Sequence, residues 1–155
     1  MTYRITGIAP DRFAHLIGQP DEMLAAAGAV RVRADHKPGF PCRITLEDAE
    51  PGETLLLLNH VDHDVATPFR SSYAIYVREG AGAAAALDDA LPAVFANRPI
   101  ALRAFDAEGM LRGAALALAN DADAQIRALF DRPEIAYLHA HNAAHGCFAA
   151  KVERG

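Results

Sequence analysis

Ile135-Ala136-Tyr137-Leu138-His139-Ala140-His141, then Asn142-Ala143-Ala144-His145-Gly146, then Cys147-Phe148-Ala149-Ala150-Lys151-Val152-Glu153 reads as two strands joined by a short loop. Ala136, Leu138 and Ala140 alternate with larger polar residues, and Phe148, Ala150 and Val152 form the matching apolar set of the second strand, which is the period-two pattern of half-buried strands. Antiparallel pairing has to place both apolar sets on one side of the sheet. Opposing Ala140 to Phe148 and Leu138 to Ala150 does so, leaving Asn142 to Gly146 as the loop, with Gly146 free to take a positive φ. That register brings His139, His141 and Cys147 together on the other face, beside Tyr137, Lys151 and Glu153.

Working outward, the same alternation marks Tyr3 to Ile8, Ala29 to Ala34, Thr54 to Asn59 and Ser72 to Arg78 as strands. Thr54 to Asn59 is the most continuously apolar of them and is expected to be central. Cys42-Arg43, after the Pro38-Gly39-Phe40-Pro41 turn, starts a further short strand. Ile100 to Phe105, Asp106-Ala107-Glu108-Gly109 and Met110 to Leu118 make a hairpin. Short helices are expected after Pro10, after Pro20 with Gly28 as the stop, and over Asp121 to Phe130. Gly80 to Asn97 reads as a helix interrupted at Pro92. His60-Val61-Asp62-His63-Asp64 reads as a solvated polar loop. Strands outnumber helices, and their connections are too short for parallel crossovers. The expected fold is therefore α+β, a single domain over residues 1–155 built on a mainly antiparallel, curved sheet.

Composition narrows the function classes. The chain is 52% hydrophobic and 23% charged with net charge −5, and its arginines outnumber lysines thirteen to two without any basic run. Nucleic-acid binding depends on a basic face that releases counterions from phosphate, so it is not expected. No apolar stretch is long enough to span a bilayer, and Met1 to Ile8 lacks the pattern of a signal peptide, so a cytoplasmic location is expected. Both cysteines should then be free thiols.

Three of the seven histidines and one of the two cysteines fall within His139 to Cys147. Two imidazoles at i and i+2 on a strand share a face and can share a transition metal, with Cys147 as a third ligand; His145, on the loop, is also within reach. A second reading makes Cys147 a nucleophilic thiol activated by His141 and oriented by His139, so that all three residues are catalytic candidates. A third makes the cluster structural, in a non-catalytic domain that binds a ligand or partner or associates into a homo-oligomer. Cys42, Arg43, Arg70 and Arg103 are candidate ligand-binding groups for a small anionic molecule. A buried arginine ordinarily needs a carboxylate partner, which is the structural alternative for Arg43 and Arg103.

The segments Lys37 to Arg43, Leu46 to Glu53, Pro68 to Ser72, Leu102 to Asp106, Tyr137 to Asn142 and Gly146 to Phe148 together resemble a bacterial family, the domain of unknown function 1203 family. The resemblance spans most of the chain and implies a small cytosolic domain with no established activity. It also implies a shared pattern that includes Cys42-Arg43, Arg70, Arg103, His139, His141 and Cys147 but not His145.

Overall fold

A six-stranded and a three-stranded antiparallel sheet face each other across a layer of aromatic and polar side chains. In the computed structural model, which describes residues 1–155, the elements in chain order are β1 (Tyr3–Thr6), α1 (Asp21–Ala26), β2 (Val30–Arg33), β3 (Thr54–His63), β4 (Ser71–Arg78), β5 (Ala86–Asp88), β6 (Ile100–Phe105), β7 (Leu111–Ala117), α2 (Ala122–Phe130), β8 (Tyr137–Asn142) and β9 (Phe148–Arg154). The larger sheet has the order β5-β1-β9-β8-β6-β7 and the smaller β2-β3-β4, so the fold is α+β. No helix is long and apolar enough to cross a membrane.

Alternation fixes which face of the large sheet is dry. Ile5, Leu102, Ala104, Leu138, Ala140, Ala150 and Val152 are all buried against Ile126, Leu129 and Phe130 of α2. Tyr3 ties α2 to the sheet, its hydroxyl donating to Asp123 at 2.6 Å. A second core forms where Leu56, Leu58, Ile75 and Val77 of the small sheet meet Phe13, Leu16, Leu24 and Ile44. Gly7 lies close against the Ile44 backbone: a Cβ placed there would lie 2.0 Å from the Ile44 carbonyl oxygen. Backbone must move to admit it, so Gly7→Ala is expected to destabilise by about 1–3 kcal/mol. Urea unfolding checks this as a lower midpoint at unchanged m-value.

Three expectations need correcting. Gly80 to Asn97 is not a helix: Ala86–Asp88 pairs with β1, Leu87 opposite Ile5, and only a 3-10 turn at Ala93–Phe95 follows Pro92. Two glycines and a proline deny that segment the unbroken turn a helix needs. Cys42 and Arg43 form isolated bridges and a turn instead of a strand. The closing hairpin pairs Leu138 with Val152 and Ala140 with Ala150, two residues away from the register the apolar pattern suggested. A shift by two preserves which face each residue takes, so alternation alone cannot discriminate it.

Candidate functional site

Two β-bulges build the site. In the β8–β9 pair, Ala140 faces Ala150 but His141 faces Phe148, which leaves Ala149 as an extra residue. Ala149 and Ala150 both point into the core, and Phe148 is turned to the opposite face. There its ring meets His139 edge-on at 5.1 Å and His141 at 5.9 Å between centroids. In the β3–β4 pair, Val61 faces Ser72 and His63 faces Ser71, so Asp62 is the extra residue. Without that bulge Asp62 and His63 would point to opposite sides; with it, both reach toward the large sheet.

His60 to His63 is therefore the end of a strand and not a solvated loop, which corrects the sequence expectation. The Asp62 side chain is 1% exposed and His63 is 3% exposed. Burial pays off for these groups only because β8 offers partners, and no local signal announces that. The hint was the period-two continuation of Thr54 to Asn59 into His60 and Asp62, followed by the hydroxyls of Ser71-Ser72.

Asp62, His139 and His141 each contribute one potential ligand atom, and these atoms all lie within 4.8 Å of one another. The partners of each ring decide what it can do. His141 Nδ1 donates to the Gly146 carbonyl oxygen at 3.0 Å, since that oxygen can only accept, which leaves the Nε2 lone pair free. His139 Nδ1 is buried without a hydrogen-bond partner. It stands 3.5 Å from Asp62 Oδ2, long for a hydrogen bond. The Ser71 hydroxyl donates to the Asp62 carboxylate, 3.3 and 3.1 Å from its two oxygens. His63 is fully occupied: Nδ1 donates to the Phe69 carbonyl at 2.9 Å and Nε2 accepts from the Tyr137 hydroxyl at 2.7 Å.

Electrostatics set the protonation states. Burial lowers the His141 pKa to about 4, with Arg103 adding to the effect and the Gly146 carbonyl opposing it. His139 is likewise lowered by burial, with Asp62 opposing. Burial pushes the Asp62 carboxyl up, but contact with His139 and a backbone N–H outweigh it and hold it below its ordinary value. Near neutral pH the cluster is thus one carboxylate and two neutral imidazoles. Beside it opens a cavity of about 350 Å³ lined by Arg12, His60, Asp62, His139 and Lys151 among others.

The remaining sequence candidates lie elsewhere. Cys147 is half-buried on the far side of the hairpin loop, its sulfur 3.0 Å from Arg43 Nη2, and it lines a separate cleft with Arg43 and His145. Arg43 is 2% exposed and has no carboxylate partner; its Nε and Nη1 donate to the carbonyls of Phe148 and Pro41 at 2.8 and 2.7 Å. Cys42 is fully buried with its sulfur against the backbone N–H groups of Ile44, Thr45 and Arg78. Arg103 donates to the Tyr73 hydroxyl at 2.9 Å, and Tyr73 in turn packs edge-on against His141. Arg70 is exposed and paired with Asp64. The structure thus joins His139 and His141 with Asp62, which sequence reasoning had assigned to a loop, and sets Cys147 apart with Arg43.

No curated protein and no solved structure matches the chain. The profile of a family described as proteins of unknown function (DUF1203) matches residues 39–154, a span that holds Asp62, His139 and His141 as well as Arg43 and Cys147. The chain belongs to the DUF1203 family.

Proposed function

We propose that the protein binds a transition-metal ion through Asp62, His139 and His141, and that the positions the protein leaves open on the ion take a small anionic molecule. The observation that carries this is the buried, unpartnered Nδ1 of His139 beside the Asp62 carboxylate. A buried nitrogen without a hydrogen bond costs about 1–3 kcal/mol, and a cation between it and the carboxylate removes that penalty. Protonation supports the reading, because metal ligands must be neutral imidazole and ionised carboxylate, the forms this environment favours.

Two imidazoles and one carboxylate suit zinc or ferrous iron, and three protein ligands leave coordination positions for water and substrate. The hydrogen bonds from His141 to Gly146 and from Ser71 to Asp62 fix the orientation of two ligands from behind. On the adjoining cavity Lys151 is paired with Glu153, and Arg12, which makes no ion pair, is the group that favours an anion beside the ion. A bound ion would supply Lewis-acid activation of water or substrate; the chain's own part is to hold three ligands in a dry layer between two sheets. A purely structural cluster is disfavoured by the same nitrogen, since structural histidines such as His63 satisfy both ring atoms.

The test is calorimetric titration of untagged, chelator-treated protein with zinc and, anaerobically, with ferrous iron. One equivalent bound tightly by at least one of the two is expected. Folded protein that takes up neither metal overturns the proposal.

A further inference from the structure

The outer edge of β7 differs from the other sheet edges of the fold, which are short, charged or overlaid. β5 is three residues long, and β2 alternates with Arg31 and Arg33 over four. β4 is overlaid at Tyr76, where Cys42 bridges to it and the Arg43 N–H donates to the Tyr76 carbonyl at 3.1 Å. Short length, charge and cover are the ordinary protections of an edge. β7 runs for seven residues, and from Gly113 to Leu118 the chain holds neither charge nor proline. Leu116 and Leu118 are 55% and 56% exposed there, two of the five large hydrophobic residues that the whole chain exposes.

The backbone hydrogen bonds define what is open. The Pro99 and Phe105 carbonyls, at the two ends of β6, accept from Ala143 and Ala136, which flank β8. Strand groups alternate in direction, so Ile100, Leu102 and Ala104 face β7, and their partners Ala117, Ala115 and Gly113 face back. Arg112, Ala114, Leu116 and Leu118 therefore turn their N–H and C=O groups outward. The Arg112 carbonyl accepts from Arg132 Nη2 at 2.9 Å, and the Leu118 carbonyl from the Asp121 N–H at 3.0 Å. Ala114 and Leu116 keep both groups without a partner in the chain.

We propose that β7 is a dimerisation strand: two copies of the chain pair their β7 edges antiparallel about a two-fold axis at Ala115. In this register Ala114 lies opposite the partner's Leu116, and Leu116 opposite the partner's Ala114. Each such pair exchanges two backbone hydrogen bonds, which uses every open group of the edge. On the exposed side of the sheet small faces large; on the side that carries α2, Gly113, Ala115 and Ala117 are all small. The neighbouring registers fit less well. Centring on Ala114 directs Leu116 to the Arg112 carbonyl, which Arg132 already holds. Centring on Leu116 directs Ala114 to the Leu118 carbonyl, already held by Asp121, and sets leucine against leucine. No charge stands opposite a like charge in the Ala115 register. A second copy is the occupant because the edge is complementary to itself, and a two-fold contact consumes it in both copies at once, so association closes at two. This surface is independent of the metal proposal and holds if that one fails.

Sedimentation velocity on untagged protein, with amide hydrogen exchange followed residue by residue, is the test. The wild type is expected to be dimeric at about 200 µM. Leu116→Lys places a charge on an exposed edge position and is expected to be a monomer with the circular dichroism of the wild type. Val30→Lys makes the same change at an equally exposed residue of β2 and should remain a dimer. The Ala114 amide is expected to exchange at least about tenfold more slowly in the wild type than in Leu116→Lys. A wild type that is monomeric at that concentration overturns the proposal and leaves the edge to an extended segment of another protein. A dimer that survives Leu116→Lys overturns it too, as does a dimer whose Ala114 amide exchanges as fast as that of Leu116→Lys.

Discussion

Asp62→Asn is expected to weaken zinc or ferrous-iron binding at least about a hundredfold, and His139→Ala and His141→Ala should do the same. The magnitude rests on a lower bound, since removing groups that only orient a metal ligand already costs about 10–100-fold. Asparagine keeps the shape of Asp62 but removes the charge that offsets the dehydration of a divalent ion. Ser71→Ala, which deletes only the hydrogen bonds to the Asp62 carboxylate, is expected to cost about tenfold. Cys147→Ser and His145→Ala separate the alternatives, because neither side chain belongs to the three-ligand cluster. Both should bind within about twofold of the wild type. Calorimetric titration of the six variants checks the set. A hundredfold loss in Cys147→Ser with an intact Asp62→Asn would restore the sequence-derived ligand set of His139, His141 and Cys147 and remove Asp62 from it.

The hairpin at the end of the chain was legible because a half-buried strand writes its burial into every second residue. Leu138, Ala140, Ala150 and Val152 are buried on one face of it, and Gly146 has φ +78°, as its place in the loop required. His139 and His141 sharing a face follows from the same rule. What alternation cannot encode is a residue that breaks it. The extra residues Asp62 and Ala149 each reverse the facing of what lies beyond them, and both reversals are repaid only by the opposite sheet. Phe148 looked like the first member of an apolar triplet, yet it packs on the histidine face. Asp62 looked solvated because its neighbours are polar, and its burial depends on residues about eighty positions away. The same non-local logic hid Arg43: its sequence context said buried arginine, but a sulfur and not a carboxylate turned out to face it.

Acid is expected to destabilise the metal-free protein well before its carboxylates titrate, and His141 supplies the largest part. Its pKa is near 4 in the folded state, against about 6.5 when unfolded. Between those values the unfolded chain binds a proton that the folded protein refuses, so stability falls as pH drops through this window. The loss attributable to His141 is about 2 kcal/mol at pH 5 and approaches about 3 kcal/mol near pH 4. His139, lowered by the same burial, acts in the same direction. Asp62 acts lower: its depressed pKa contributes stability above the unfolded carboxylate value that is lost only as pH falls through its folded value. Urea unfolding at pH 7.5 and pH 5, with chelator present, isolates the histidine part. In the wild type the difference should be at least about 2 kcal/mol, and His141→Gln should reduce it by about that amount while the His139 share persists. If both proteins lose the same stability between the two pH values, the imidazole of His141 is not held neutral by burial. The same neutrality prepares it as a ligand, so that result would also weaken the metal proposal at its electrostatic root. With saturating metal the decline should steepen, because protons then compete with the ion for the same nitrogen lone pairs.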